Sequence, residues 1–193
     1  MFETHTSELP ERPVCRCDND RDKILQAEEN LRNAMATNEF VTLDKVFCEI
    51  KNAGTDIDVM LKHDAEVLHL KLEKELDIRN FIESVKHVDN YKTIRKSVTE
   101  LNKKFEDAEK LGVSVDPNLI KQINQCSNRL ISERNLRFDM ENMYVSASTK
   151  ETVGHLQKLI ELADEYKVEQ KYMEQANSLC GKMNDNITAR ETL

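Results

Sequence analysis

The chain has no tryptophan, only three prolines and four glycines in 193 residues, and only 5% of it is aromatic. A β-sandwich or barrel needs frequent turn residues and strands rich in aromatic or β-branched side chains, so this scarcity excludes one. A basic cluster is missing too. The 28 Lys and Arg are outnumbered by 36 Asp and Glu, for a formal charge of −8. The densest basic spot, Lys103-Lys104, is followed at once by Glu106, Asp107 and Glu109. A partner of nucleic acid or of an anionic membrane would concentrate positive charge, so neither is expected. No apolar run approaches transmembrane length, and the N-terminus lacks the apolar stretch of a signal peptide. The five cysteines (Cys15, Cys17, Cys48, Cys126 and Cys180) are odd in number and scattered. That argues against a disulfide framework and for reduced thiols in the cytoplasm.

What the chain does hold is charge, at 33%, interleaved with 39% hydrophobic residues. Long helices with narrow apolar stripes have this composition. The pattern predicts an all-α chain of about seven helices. Residues 1–17, MFETHTSELPERPVCRC, contain two of the three prolines and no helical period, so they read as an extended arm. From Asp18 the period is helical, with Asp18 or Asp20 placed to cap the first helix. Ile24, Ala27, Leu31, Ala34 and Met35 form its apolar face. Leu43, Val46, Phe47, Ile50 and Ala53 mark a second helix after Thr42, which Gly54 can end in the left-handed conformation. Thr55 is read as the cap of a long third helix, because no Gly or Pro occurs between 55 and 90.

Pro117 is the only proline after Pro13. It follows Asp116, just beyond Gly112, in the stretch AEKLGVSVDPNLIKQI. Proline is tolerated as the first residue of a helix, where its missing N–H has no partner to lose and its φ is already helical. Gly112 therefore stops one helix, Asp116 caps the next, and Pro117 starts it. Ser148 and Glu151 are read as a capping box opening the following helix. A last helix carries Val168, Tyr172, Met173, Ala176, Leu179 and Met183, and residues 186–193 are expected to fray.

The pattern also repeats. LDKVFCEIKNAG (43–54) and LNKKFEDAEKLG (101–112) match at an offset of 58 residues. At the same offset Leu61, Ala65, Leu68 and Leu72 correspond to Leu119, Ile123, Cys126 and Leu130. A third copy, LQKLIELADEY (156–166), is followed by Tyr172, Ala176, Leu179 and Met183 in the same positions. NLRNAM (30–35), DIRNFI (77–82) and NLRFDM (135–140) precede the copies. Units that cannot bury their apolar faces alone stack on their neighbours. The expected architecture is an elongated array of about three helical hairpins sharing long connecting helices. After the arm comes a helical repeat domain over 18–185, with units of about 18–72, 73–131 and 132–184.

No constellation specifies chemistry. Cys15-Arg16-Cys17, with His5 nearby, supplies half a metal site, and no second Cys/His pair at ligand spacing completes it. Asp18, Asp20, Asp22 and Glu29 imitate a calcium loop, but Lys23 stands where the loop needs glycine. The histidines pair with no Ser or Cys in a recognisable catalytic order. Cys48, Cys126 and Cys180 fall on apolar faces and read as core. Phe2, Leu9 and Val14 on the arm, with Met140, Met143 and Tyr144, are the candidate partner-binding residues. No catalytic, cofactor-binding or metal-binding residue is assigned, and no cofactor is expected.

ENLRNAM followed by LDKVFCEIKNAG, and LNKKFEDAEKLG followed by LIKQINQCSNRLI, resemble the helical-hairpin repeats of large cytoskeletal and ciliary (axonemal) scaffold proteins. The resemblance spans roughly residues 28–183. It implies a non-enzymatic structural role, with protein partners in a larger cytoskeletal or ciliary complex. The alternative is a soluble adaptor that binds peptides in a groove between hairpins.

Overall fold

The computed structural model describes residues 16–192. Seven α-helices carry them: α1 (Arg16–Thr37), α2 (Phe40–Ala53), α3 (Val59–Ser84), α4 (Ile94–Lys110), α5 (Pro117–Asn142), α6 (Lys150–Glu165) and α7 (Gln170–Glu191). Short 3₁₀ turns at Tyr91–Thr93 and Val145–Ala147 precede α4 and α6, and there is no strand among the described residues. The all-α expectation holds.

The helix ends follow local chemistry. Gly54 adopts φ 61° and its N–H reaches the carbonyls of Ile50 and Lys51, closing α2 in the left-handed conformation. Gly112 does the same work after α4 at φ 72°. The Asp116 side chain accepts from the Asn118 N–H at 2.8 Å, and Pro117 is the first residue of α5. The cap removes an orphan donor at the helix start, so Asp116→Ala is expected to cost about 0.5–2 kcal/mol in chemical denaturation. A loss below a few tenths of that range would mean that water replaces the side chain at no cost.

Other boundaries differ from the sequence reading. α1 begins at Arg16, so Asp18 and Asp20 lie inside the helix and not at its cap. α2 begins at Phe40, and Thr42 sits within it with its hydroxyl donating to Glu39. α3 begins at Val59, and Asp58, not Thr55, accepts the Leu61 N–H at 2.9 Å. Thr55 is held back because its own N–H completes the Gly54 cap on Ile50. The capping box of α6 is Thr149 with Thr152. Ser148 is buried, its hydroxyl donating to the Val145 carbonyl, so it closes the 3₁₀ turn and leaves the cap to its neighbour. Residues 186–191 belong to α7, where Ile187 packs on the core and Asn186 donates to the Val145 carbonyl. Those two contacts hold turns that lack a full apolar stripe.

The described residues divide into two compact units, one ending at Leu72 and the other beginning at Glu73, and α3 runs through the division. In the first unit α1 packs on α2. Leu31, Ala34, Leu43, Ile57, Ala65 and Leu72 are buried together there, with Phe47 and Ile50 packed against them. In the second unit α4 packs on α5, α5 on α6 and α7, and α6 on α7. Its core gathers Leu136, Val153, Leu156, Ala163, Tyr172, Ala176 and Met183. The positions that correspond across the repeat (Ala65, Ile123 and Ala176; Leu72, Leu130 and Met183) are all buried.

Candidate functional site

The most unusual side chains in the protein are carboxylates placed inside it. Glu133, on α5, has no solvent exposure, and Glu75, on α3, is also buried. A buried carboxylate is tolerated only if its oxygens are fully engaged. Glu133 receives Arg137 Nη1 on Oε1 at 2.8 Å and Arg129 Nη1 on Oε2 at 3.3 Å. The arginines stand four residues on either side of it on the same helix, so one turn in each direction brings a cation to each oxygen. Both arginines reach further. Arg129 Nη2 donates to the Val85 carbonyl at 2.7 Å, and Arg137 donates to the carbonyls of Val88 and Asp89. The Arg137 guanidinium also lies 4.1 Å from the centroid of the Tyr172 ring. The chain leaving α3 is thereby fastened to α5 through its backbone carbonyls.

Glu75 makes a related joint. Its Oε1 accepts the Asp116 N–H at 2.8 Å, at the cap of α5, and its Oε2 accepts from Arg79 Nη2 at 3.4 Å. Glu28, in the first unit, repeats the arrangement. Oε1 accepts the Asp58 N–H at 3.0 Å, just before α3, and Oε2 accepts from Arg32 Nη2 at 3.2 Å. In both, one oxygen ties down the start of a later helix while an arginine four residues on neutralises the other.

The three glutamates share a local sequence: EENLR (28–32), ELDIR (75–79) and ERNLR (133–137), or E-x-[DN]-[LI]-R. The NLRNAM, DIRNFI and NLRFDM signatures contain the arginine but begin two residues after the glutamate. The missed signal was the acid at fixed spacing before each of them. Farther on, Asn186 and Arg190 lie 53 residues after Glu133 and Arg137. They donate to the carbonyls of Val145, Ser146 and Ser148 around the second 3₁₀ turn. Asn186, the acceptor asparagine of the sequence Asn186-Ile187-Thr188, is thus occupied inside the fold.

Of the candidate partner-binding residues, Phe2, Leu9 and Val14 lie outside the described residues, as do Cys15 and His5. Met140 and Met143 pack partly buried against the second core, which is the filling role of a flexible side chain. Among the described candidates, Tyr144 is the open one, at 69% exposure. Cys126 and Cys180 are buried as expected, but Cys48 is exposed, because the apolar stripe of α2 turns its other residues inward and leaves that position at the edge. Burial pushes the Cys126 thiol up, against the opposing pull of Arg129, so it is a poor nucleophile at neutral pH.

Three histidines join elements through a carboxylate: His69 with Asp44 at 3.0 Å, His155 with Asp139 at 3.1 Å, and His87 with Glu169 at 3.0 Å. No group of three His, Cys, Asp or Glu among the described residues could hold a metal ion. A cleft of about 810 Å³ in the second unit is lined by Ile82, Gln122, Gln125, Arg129, Tyr166 and Glu169. At its edge, hydrogen bonds from Lys171 and then His87 hold the Glu169 carboxyl below its ordinary range. A depressed carboxyl stabilises the fold above its unfolded pKa, and that contribution disappears as pH falls through the folded value. Glu169→Gln is therefore expected to melt below the native chain at pH 7 and to converge with it on acidification through the carboxylate range. A gap that is unchanged at low pH would show that the glutamate acts through packing alone.

No helix among the described residues is long and apolar enough to cross a membrane. No family model, no curated protein and no solved structure matches this chain.

Proposed function

We propose that the protein is a non-enzymatic scaffold: an elongated array of about three helical hairpins that holds other proteins together within a cytoskeletal or ciliary assembly. The observation that carries this reading is the recurrence of E-x-[DN]-[LI]-R, with Glu28 and Glu75 each tying the start of a later helix. A device repeated along a chain to fix one helix against the next serves an array, whose product is a stiff surface rather than a reaction. The buried charges are consumed in these joints, and the tied loops keep the helices in register. The resemblance of the repeat to cytoskeletal and ciliary scaffolds supplies the cellular setting, a cytoplasmic one. The test is fractionation of ciliated cells expressing the tagged chain. Retention with the detergent-insoluble cytoskeleton or axoneme is the expected result. Complete extraction into the soluble fraction overturns the assembly assignment.

The second reading is a soluble peptide-binding adaptor, and the cleft of about 810 Å³ favours it. Its lining sets Ile82, Tyr166 and two glutamines among charges of both signs, from Lys86, Arg129 and Lys167 to Glu83, Glu165 and Glu169, which suits the backbone and mixed side chains of an extended peptide. An adaptor would bind one short peptide saturably there, and Gln125→Trp, which fills the cleft, would abolish binding.

A further inference from the structure

The fold encloses three of the four tyrosines, wholly or in part. Tyr172 is buried, with the Arg137 guanidinium against its ring. Tyr91 is half-buried, its hydroxyl donates to Glu141, and Arg137 lies 5.5 Å from its ring centroid. Tyr166 is half-buried at the C-cap of α6, where its N–H bonds to the Leu162 carbonyl and its side chain lines the cleft. Tyr144 is 69% exposed, and its hydroxyl has no hydrogen-bond partner among the described residues.

Its backbone sets it apart as well. Tyr144 stands between the end of α5 and the 3₁₀ turn Val145–Ala147. The Met143 N–H closes α5 on the Asp139 carbonyl, and the chain then leaves the helix. Met143 (φ −86°, ψ 129°) and Tyr144 (φ −110°, ψ 127°) are both extended. The turn that follows is fastened to α7, with Asn186 donating to the Val145 carbonyl and Arg190 to those of Ser146 and Ser148. The tyrosine thus projects from extended backbone on a fixed base. A tyrosine kinase has to bring the phenolic oxygen in line with the γ-phosphate of ATP and within reach of the aspartate that takes its proton. A ring that is packed, or a hydroxyl already tied, enters such a cleft only after local opening of the fold. Tyr144 needs none.

We propose that Tyr144 is a phosphorylation site for a protein tyrosine kinase. The phenolic oxygen attacks the γ-phosphorus of ATP, the bond from that phosphorus to the ADP oxygen breaks, and the phenolic proton passes to the kinase aspartate. The product carries a charge of about −1.5 to −2 at neutral pH. The Tyr144 side chain makes no hydrogen bond among the described residues and is not packed against the second core. The phosphate therefore changes the surface and leaves the fold as it is. Arginine clusters recognise phosphotyrosine, so the mark gives the connection between α5 and α6 a partner that can be switched on and off. The site goes beyond the scaffold reading and does not depend on it.

The experiment has two arms, both on the full chain. In the first, cells expressing the tagged chain are treated with pervanadate to block tyrosine phosphatases, and the purified chain is mapped by tandem mass spectrometry. Phosphate on Tyr144 is the expected result. In the second, the purified chain is incubated with ATP and a tyrosine kinase catalytic domain of broad peptide specificity. The initial rate at Tyr144 is expected to exceed that at Tyr91, Tyr166 or Tyr172 by at least about tenfold, because those three require local opening. Tyr144→Phe removes most of the incorporation in both arms, and a melting curve matching the native chain shows that the variant is folded, as an exposed site allows. Absence of phosphate on Tyr144 in cells, or comparable rates at the other tyrosines, overturns the proposal. A phosphorylated chain that melts below the unmodified one also overturns it, since the hydroxyl would then belong to the fold. Cytoskeletal fractionation can fail while Tyr144 is phosphorylated, and the reverse, so the two readings are separable.

Discussion

Glu133→Ala is expected to lower stability by about 3–5 kcal/mol, the range for removing one partner of a buried ion pair. The loss is large because the arginines do not leave with the glutamate. Arg129 and Arg137 are largely buried, with side chains 16% and 12% exposed, and both remain pinned to carbonyls of residues 85–89. Without the carboxylate, two largely buried guanidinium groups are left with no anion between them. For a chain of this length the drop corresponds to roughly 10 °C in melting temperature. Glu133→Gln should lose less, since the amide oxygen can still accept from one arginine while its NH₂ opposes the other. Hydrogen exchange should quicken at residues 85–93 in both variants, because the arginines that hold those carbonyls lose their anchor. A loss under about 1 kcal/mol in chemical denaturation would show that water satisfies the arginines and that the joint is ornamental.

Leu156→Ala is expected to cost about 2–5 kcal/mol through a cavity in the second unit's core. Leu156 is fully buried on α6, in one cluster with Leu136 of α5 and with Tyr172, Ala176 and Met183 of α7. Three helices meet at its side chain, so none can close the gap without moving away from another. Leu156→Met keeps the volume and should cost less than about 1.5 kcal/mol. Denaturant titrations of both variants check the pair, and equal losses would mean that shape rather than volume governs the site.

Much of the helical framework was legible before any fold was known. Pro117 after Asp116 could start a helix but could not continue one, because proline's ring and missing N–H allow only that. Gly54 and Gly112 announced their helix ends because left-handed backbone is inexpensive only for glycine. The correspondence of Ala65, Ile123 and Ala176 came from periodicity, and periodicity survives folding because each helix presents one stripe to its neighbours.

Other features were not legible from a single residue's surroundings. Thr55 and Asp58 are both capping types three residues apart, and only the Gly54 cap, which uses the Thr55 N–H, decides between them. Ser148 and Thr149 posed the same choice, resolved by the 3₁₀ turn that draws the serine inward. Cys48 sits one position from Phe47 on α2, and a rotation of one residue separates packing from exposure.

The sequence by itself determined that the chain is helical and where most helices stop, because these depend on local backbone sterics and on a period of 3.6 residues. Only the tertiary structure decided that the glutamates of E-x-[DN]-[LI]-R become joints. Burial is a property of what lies opposite a residue, and a carboxylate is stable inside only where an arginine or a backbone N–H from elsewhere in the chain meets it. It also decided that, in the first unit, Ala65 and Leu72 of α3 are buried while Met60 and Val67 stay exposed. Burial there depends on what packs against the helix, which the apolar pattern of α3 alone does not record.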